Sequence, residues 1–247
     1  KMLTNQALFF ISVSAAVCLL GPTILALYMI RKHRASWKAF LVGAIVFIVT
    51  QPLIRIPLLT NLGFTAWFSL FTQSHMVLYL LLLALSAGIF EEVGRFLGFR
   101  FLLKDKLRWE NGIVFGLGHG GAEAIMLVGL NYLMILITAA GGQTIDSLVG
   151  IAPYMFLVGG LERVLAVTLH VGMTMLVLYA VKLKKWIYLL YAVLFHTIID
   201  CVALLKTQFG WTIWQTEGYL AVFAIIAVLI IIKLKKRITE NNNSLLP

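Results

Sequence analysis

Residues 76–101, MVLYLLLLALSAGIFEEVGRFLGFRF, set an acidic pair and an arginine, Glu91-Glu92 and Arg95, deep inside an apolar run. About 20 helical residues cross the hydrocarbon core of a bilayer, so this run is long enough to span it with some tilt. Ionisable groups at that depth are costly and normally face a protein-lined cavity, where they serve a function. On a helix Glu91 and Arg95 stand at i,i+4, and Glu92 and Arg95 at i,i+3. The arginine can then neutralise one carboxylate and leave the other free as a base.

The rest of the chain has the same character. Its 247 residues are 61% hydrophobic and 12% charged, with a mean hydropathy of +0.97. No water-soluble chain of this length needs so much apolar surface. Long apolar runs alternate with short basic clusters, and nothing resembles a soluble domain or a low-complexity linker. Residues 1–247 read as one all-α, polytopic integral membrane domain. Cys18 and Cys201 both fall in apolar runs, which excludes a disulfide framework or a cysteine-based metal motif. Lys1 before Met2 reads as a cloning remnant, and Glu240–Pro247 as a polar, frayed tail. The first apolar run is too long, and lacks the preceding basic region, for a cleaved signal.

A formal charge of +10 raises the question of nucleic acid, and the placement of the charge answers it. The clusters are Arg31, Lys32, Arg34 and Lys38; Arg100, Lys104, Lys106 and Arg108; Lys182, Lys184 and Lys185; and Lys233, Lys235, Lys236 and Arg237. They contain 15 of the 20 lysines and arginines, and every cluster lies at a span end. This is the positive-inside pattern, a topology signal and not a nucleic-acid footprint. It predicts seven spans at about 6–30, 38–59, 74–101, 109–140, 152–181, 186–206 and 217–236. The N-terminus is then outside and the C-terminus cytoplasmic, in a cell membrane expected to be a prokaryotic plasma membrane. Pro52 and Pro57 bracket Arg55 and should kink the second span. The uncharged, aromatic segment Thr60–Gln73 suits an interfacial or re-entrant loop.

Three spans carry one histidine each. His119 and His196 lie about 15 Å from the basic ends of their spans, and His170 and Glu92 about 18 Å, at 1.5 Å per residue. Four helices therefore bring ligand or proton-transfer groups to one layer near mid-membrane. His119 shares a helix face with Glu123, and His196 with Asp200, at i,i+4. Glu162 lies two turns before His170, with Arg163 beside it as a second intramembrane cation. Gly116, Gly118, Gly120 and Gly121 surround His119 and permit close helix approach. His33 and His75 fall at span edges and read as ordinary interfacial residues.

Three neutral imidazoles from three helices can hold a divalent metal such as Zn²⁺ with water in the fourth position. A nearby glutamate, Glu92 or Glu91, can take a proton from that water and pass it to a leaving amine. No helical HExxH is present, so this is not the common zincin arrangement. The expected cavity opens toward the cytoplasmic half. Other readings stay open: interhelical hydrogen bonds and a structural ion pair, a proton or ion path through a transporter or channel, a haem- or quinone-binding redox protein, or a scaffold without activity. The lack of internal repeats counts against a transporter built from inverted halves.

Glu91-Glu92-Val93-Gly94-Arg95 resembles the EExxR motif of the CPBP membrane peptidases, the CAAX-protease and bacteriocin-processing group. Phe115–His119 resembles their FxxxH motif, and His196–Asp200 their HxxxN/D motif, in family order. Gly-His-Gly-Gly-Ala-Glu and Glu162-Arg163…His170 look more like the YhfC-type membrane peptidases, a related branch. The resemblance covers about residues 75–205. It implies an intramembrane metalloendopeptidase acting on membrane proteins or lipidated peptides. Glu91 or Glu92 would activate water, His119 and His196 would serve as ligands or oxyanion-stabilising groups, and His170 would complete a three-histidine site. Asp200 stands where the prenyl-protein proteases have asparagine. Since an ionised aspartate cannot donate to an oxyanion, a ligand or histidine-orienting role is implied.

Overall fold

A bilayer offers no partner for backbone N–H and C=O groups, so an apolar chain of this length must close its hydrogen bonds within helices. The computed structural model describes residues 3–148 and 150–243, with side chains to residue 238. It is all-helical, with no strand among the described residues. Seven helices are long and apolar enough to cross a membrane: α1 (Asn5–His33), α2 (Trp37–Gly63), α3 (Met76–Leu102), α4 (Trp109–Ala140), α5 (Tyr154–Leu183), α6 (Ile187–Phe209) and α7 (Ile213–Ile238). The helix of α7 continues to Asn243. Lys1, Met2 and residues 244–247 of the expected tail lie outside the described residues.

Local signals set the ends. The Thr4 hydroxyl accepts from the Ala7 amide at 3.1 Å and caps α1. Arg34 and Lys184 adopt the left-handed conformation that stops α1 and α5 at the basic face. Pro52 lacks an amide proton, and Val49–Arg55 around it is wound as wider π turns. The predicted loop at 60–73 is instead the end of α2 followed by a short helix, Ala66–Ser74. Phe68 of that helix packs edge-on against Tyr79 of α3, 5.9 Å between ring centroids. An uncharged segment next to lipid satisfies its own backbone best as helix, which explains the correction.

Helix α5 is the axis of the bundle. Of its most apolar window 67% is buried, against 39% or less in each other helix, and it packs on α1, α3, α4, α6 and α7. The outer faces present aliphatic side chains such as Ile24, Leu229 and Ile232, each about 60% exposed. In water such exposure would be severely unfavourable; lipid removes the penalty. The main core lies toward the basic face, where Phe99 and Phe115 stack at 4.5 Å.

Helices α2 and α4 meet backbone to backbone. A Cβ placed on Gly118 would lie 2.1 Å from the Phe40 carbonyl oxygen, and one on Gly43 would lie 2.1 Å from that of Phe115. Only glycine permits this approach. Gly118→Ala should therefore destabilise by about 1–3 kcal/mol through forced separation of the helices. Gly63→Ala, whose Cβ meets nothing within 4 Å, should leave the thermal midpoint in detergent unchanged.

Candidate metal and proton-transfer site

Arg95 has no exposed surface, and its guanidinium organises what surrounds it. Nη1 donates to Glu92 Oε1. Nη2 lies 3.3 Å from Glu91 Oε2 and 2.6 Å from His170 Nδ1. Glu91 also meets His119, with Nε2 to Oε2 at 2.8 Å, and accepts from the Gln51 amide at 2.5 Å. His170 uses its other nitrogen, Nε2, to bond Glu123 Oε2. Glu123 Oε1 accepts from Arg163 at 2.7 Å, and Arg163 bonds Glu162 in turn. On the other side His196 Nδ1 donates to Glu92 Oε1 at 2.7 Å, while its Nε2 lies 3.6 Å from Asp200 Oδ2. Glu91, Glu92, Arg95, His119, Glu123, Glu162, Arg163, His170, His196 and Asp200 thus join one connected polar layer spanning α3 to α6.

The tightest group of donors differs from the expected trio of histidines. Ligand atoms of Glu91, His119 and His170 all lie within 4.8 Å of one another. His196 stands beside them, its ring 5.9 Å from that of His170, because its bond to Glu92 turns it toward α3. Its Nε2 faces Glu91 Oε1 at 3.9 Å. His33 and His75 take no part: they pack against Tyr28 and Phe71 respectively.

The donor set suits a divalent ion. Two imidazoles and a carboxylate are the ligand types of catalytic metal sites. Charge balance points the same way. If the histidines are uncharged, Glu91, Glu92, Glu123, Glu162 and Asp200 are faced, among the described residues, by Arg55, Arg95 and Arg163. When all are ionised, the excess is two negative charges within apolar helices, where unpaired charge is costly. An ion held by His170 Nδ1 would replace the contact this atom now makes with Arg95, so the two are alternatives.

Sequence reasoning missed Gln51. It lies on the widened turn of α2, and its amide is fixed from behind by Arg55, whose Nη1 donates to Oε1 at 3.0 Å. Arg55 is held by Ser86 Oγ at 3.0 Å and the Leu83 carbonyl at 2.7 Å. The available signal was a glutamine next to a proline in an apolar span. Glu217 was also missed; it is 5% exposed, and neither carboxylate oxygen has a hydrogen-bond partner among the described residues.

A cavity of about 330 Å³ opens from this layer. Glu91, His170 and His196 line its floor with Phe47 and Met173. Its walls include Ile56, Leu127, Glu162, Val202 and Leu220, all further from the basic clusters than the histidines. The expected opening, toward the half that carries the basic clusters, is therefore corrected: that half is filled by the packed core around Phe99, Phe115 and Met175. Arg95→Ala should leave two buried carboxylates uncompensated and cost about 3–5 kcal/mol. A lowered melting temperature and poorer recovery of monodisperse protein in detergent would register it.

Comparison with known proteins agrees with this picture. Residues 16–220 match the family model described as YhfC intramembrane metalloprotease. The chain is 32% identical over 223 residues to a Bacillus subtilis (strain 168) protein named "Uncharacterized membrane protein YhfC", covering 83% of this chain and 86% of the relative. No solved structure matches. Seven apolar helices and a membrane-protein relative make this a multi-pass membrane protein, and the chain belongs to the YhfC intramembrane metalloprotease family.

Proposed function

We propose that this protein is a membrane-embedded metalloendopeptidase that hydrolyses peptide bonds of membrane proteins or lipidated peptides. The observation that carries the reading is the convergence of Glu91, His119 and His170, with Glu91 and His170 on a cavity floor shared with His196 and His119 buried beside them. These three residues would hold the ion, zinc by the preference of catalytic zinc for imidazole and carboxylate. A bound ion would supply Lewis-acid polarisation of the scissile carbonyl and would acidify a water molecule at the site to a pKa of about 7.

The chain's own residues would handle the protons. Glu92 accepts from His196 Nδ1, which fixes the tautomer and leaves Nε2 with its lone pair in the cavity. That nitrogen is suited to take a proton from water and return it to the leaving amine. Asp200, 3.6 Å away, would stabilise the imidazolium between the two steps. Glu123 orients His170, as carboxylates commonly do for metal-bound imidazoles. In this reading Glu91 is a ligand rather than the base, His196 a proton carrier rather than a ligand, and Glu92 the group that aims it.

The likeness of Glu91–Arg95, Phe115–His119 and His196–Asp200 to the CPBP motifs belongs to the same proposal and supports hydrolysis. The positive-inside pattern belongs to the proposal as well and supports a basic face in the cytoplasm of a cell membrane. The packed core beneath the cavity speaks against a continuous ion path. His119→Ala and His170→Ala should lose bound divalent metal by elemental analysis of purified protein. Glu92→Gln and His196→Ala should keep it while cleavage of a single-span reporter in proteoliposomes falls by about 10²–10⁴. Wild-type protein that holds no divalent metal after metal-supplemented purification would sink the reading.

A further inference from the structure

The side of the membrane that serves the cavity follows from the order of the helices. Along α2, α4 and α6, which rise from the basic face, the lining residues Ile56, Leu127 and Val202 come after Gln51, His119 and His196. Along α3, α5 and α7, which descend toward it, Ala87, Glu162 and Leu220 lie near or before the level of Glu91 and His170. All six helices thus place the cavity on the far side of the histidine layer from the lysines and arginines. Ile56, Val202 and Leu220 are each seven residues from the far ends of their helices, about 10 Å at the helical rise. Trp67, Tyr154 and Trp214, 49–63% exposed, mark the interface level at that end.

The opposite direction is sealed. Below Phe47 and Met173 come Phe99, Phe115, Met175 and Leu178, none with measurable exposure. The upper walls, by contrast, carry polar side chains that reach solvent-sized space: Glu162 is 34% and Asp200 38% exposed at the side chain. Such groups persist in a membrane where they line a water-filled cavity.

We infer that the site is hydrated and loaded from the non-cytoplasmic side, and that its substrates are polypeptide segments whose scissile bond lies in the outer half of the bilayer. The substrate class rests on the peptidase reading; the direction of access does not. Because its outermost lining lies about 10 Å below the helix ends, the cavity suits a chain already within the membrane better than a soluble peptide.

Access can be measured without any cleavage. In the full chain carrying Cys18→Ala and Cys201→Ala, the variants Ala87→Cys and Ala166→Cys place a thiol on the cavity wall, one turn above Glu91 and His170. Gln143→Cys and Lys185→Cys mark the two faces, and Ala180→Cys, 2% exposed in the packed core, serves as the sealed control. A membrane-impermeant maleimide is applied to right-side-out and inside-out vesicles. The Ala87, Ala166 and Gln143 variants should label only in right-side-out vesicles, the Lys185 variant only in inside-out vesicles, and the Ala180 variant in neither. Cavity variants that label with the Lys185 variant, or that label from neither face, overturn the inference; so does a reversal of the two markers. Size-exclusion profiles of each variant separate loss of fold from loss of access. Labelling as expected with no cleavage of an outer-half reporter would remove the peptidase reading and leave the direction of access standing.

Discussion

A guanidinium with no exposed surface, in the apolar interior of a membrane bundle, is the constraint on which the rest of this structure depends. With all its donors out of water, the Arg95 guanidinium has to be surrounded by acceptors. Its own helix supplies two carboxylates, and α5 supplies His170 Nδ1. Those carboxylates in turn recruit His119 from α4, His196 from α6 and Gln51 from α2. Five helices are thereby committed to one another at a single depth. A pair of this kind contributes little net stability once desolvation is counted. It does strongly disfavour alternative packings, because any slip of register strands a charge in hydrocarbon.

Lipid changes what the remaining residues must do. Burying leucine between helices gains little when the alternative is leucine against acyl chains, so close packing and polar contacts have to hold the bundle. That is why the glycines of α4 matter more than its apolar moment, and why the best-packed side chains gather on one side of the polar layer. The arrangement divides the molecule into a filled half, which fixes the helices, and a hollow half, which exposes the polar groups they carry.

Much of this was legible in the sequence. Apolar run lengths and basic clusters located all seven helices to within a few residues, since both follow directly from bilayer thickness and charge. Counting residues from those ends put His119, His170, His196 and Glu92 at one depth, and the fold joins them there. Partner choice was not legible. Whether His196 turns toward His170 or Glu92 depends on side-chain torsion and on how α6 is rotated against α3, and neither leaves a trace in residue spacing. Gln51 was missed because one neutral amide in an apolar span carries no charge signal, and the neighbouring Pro52 was its only mark. The direction of the cavity was hidden for a different reason: it depends on where Phe99, Phe115 and Met175 fill space, and volume cannot be summed along a chain before the packing is known.

The glycine contact between α2 and α4 acts as a fulcrum. It lies at Gly43 and Phe115, eight residues below Gln51 on α2 and one turn below His119 on α4, so the arm from pivot to Gln51 is about 12 Å. Rocking of α2 by a few degrees about that pivot would move the Gln51 amide by nearly an ångström, more than the roughly 0.5 Å tolerance of a working site. The glycine pair thus sets the sensitivity of the polar layer to events at the basic face. A displacement of α2 there would be carried to the carboxylate of Glu91 through the Gln51 amide, without contact at the carboxylate itself.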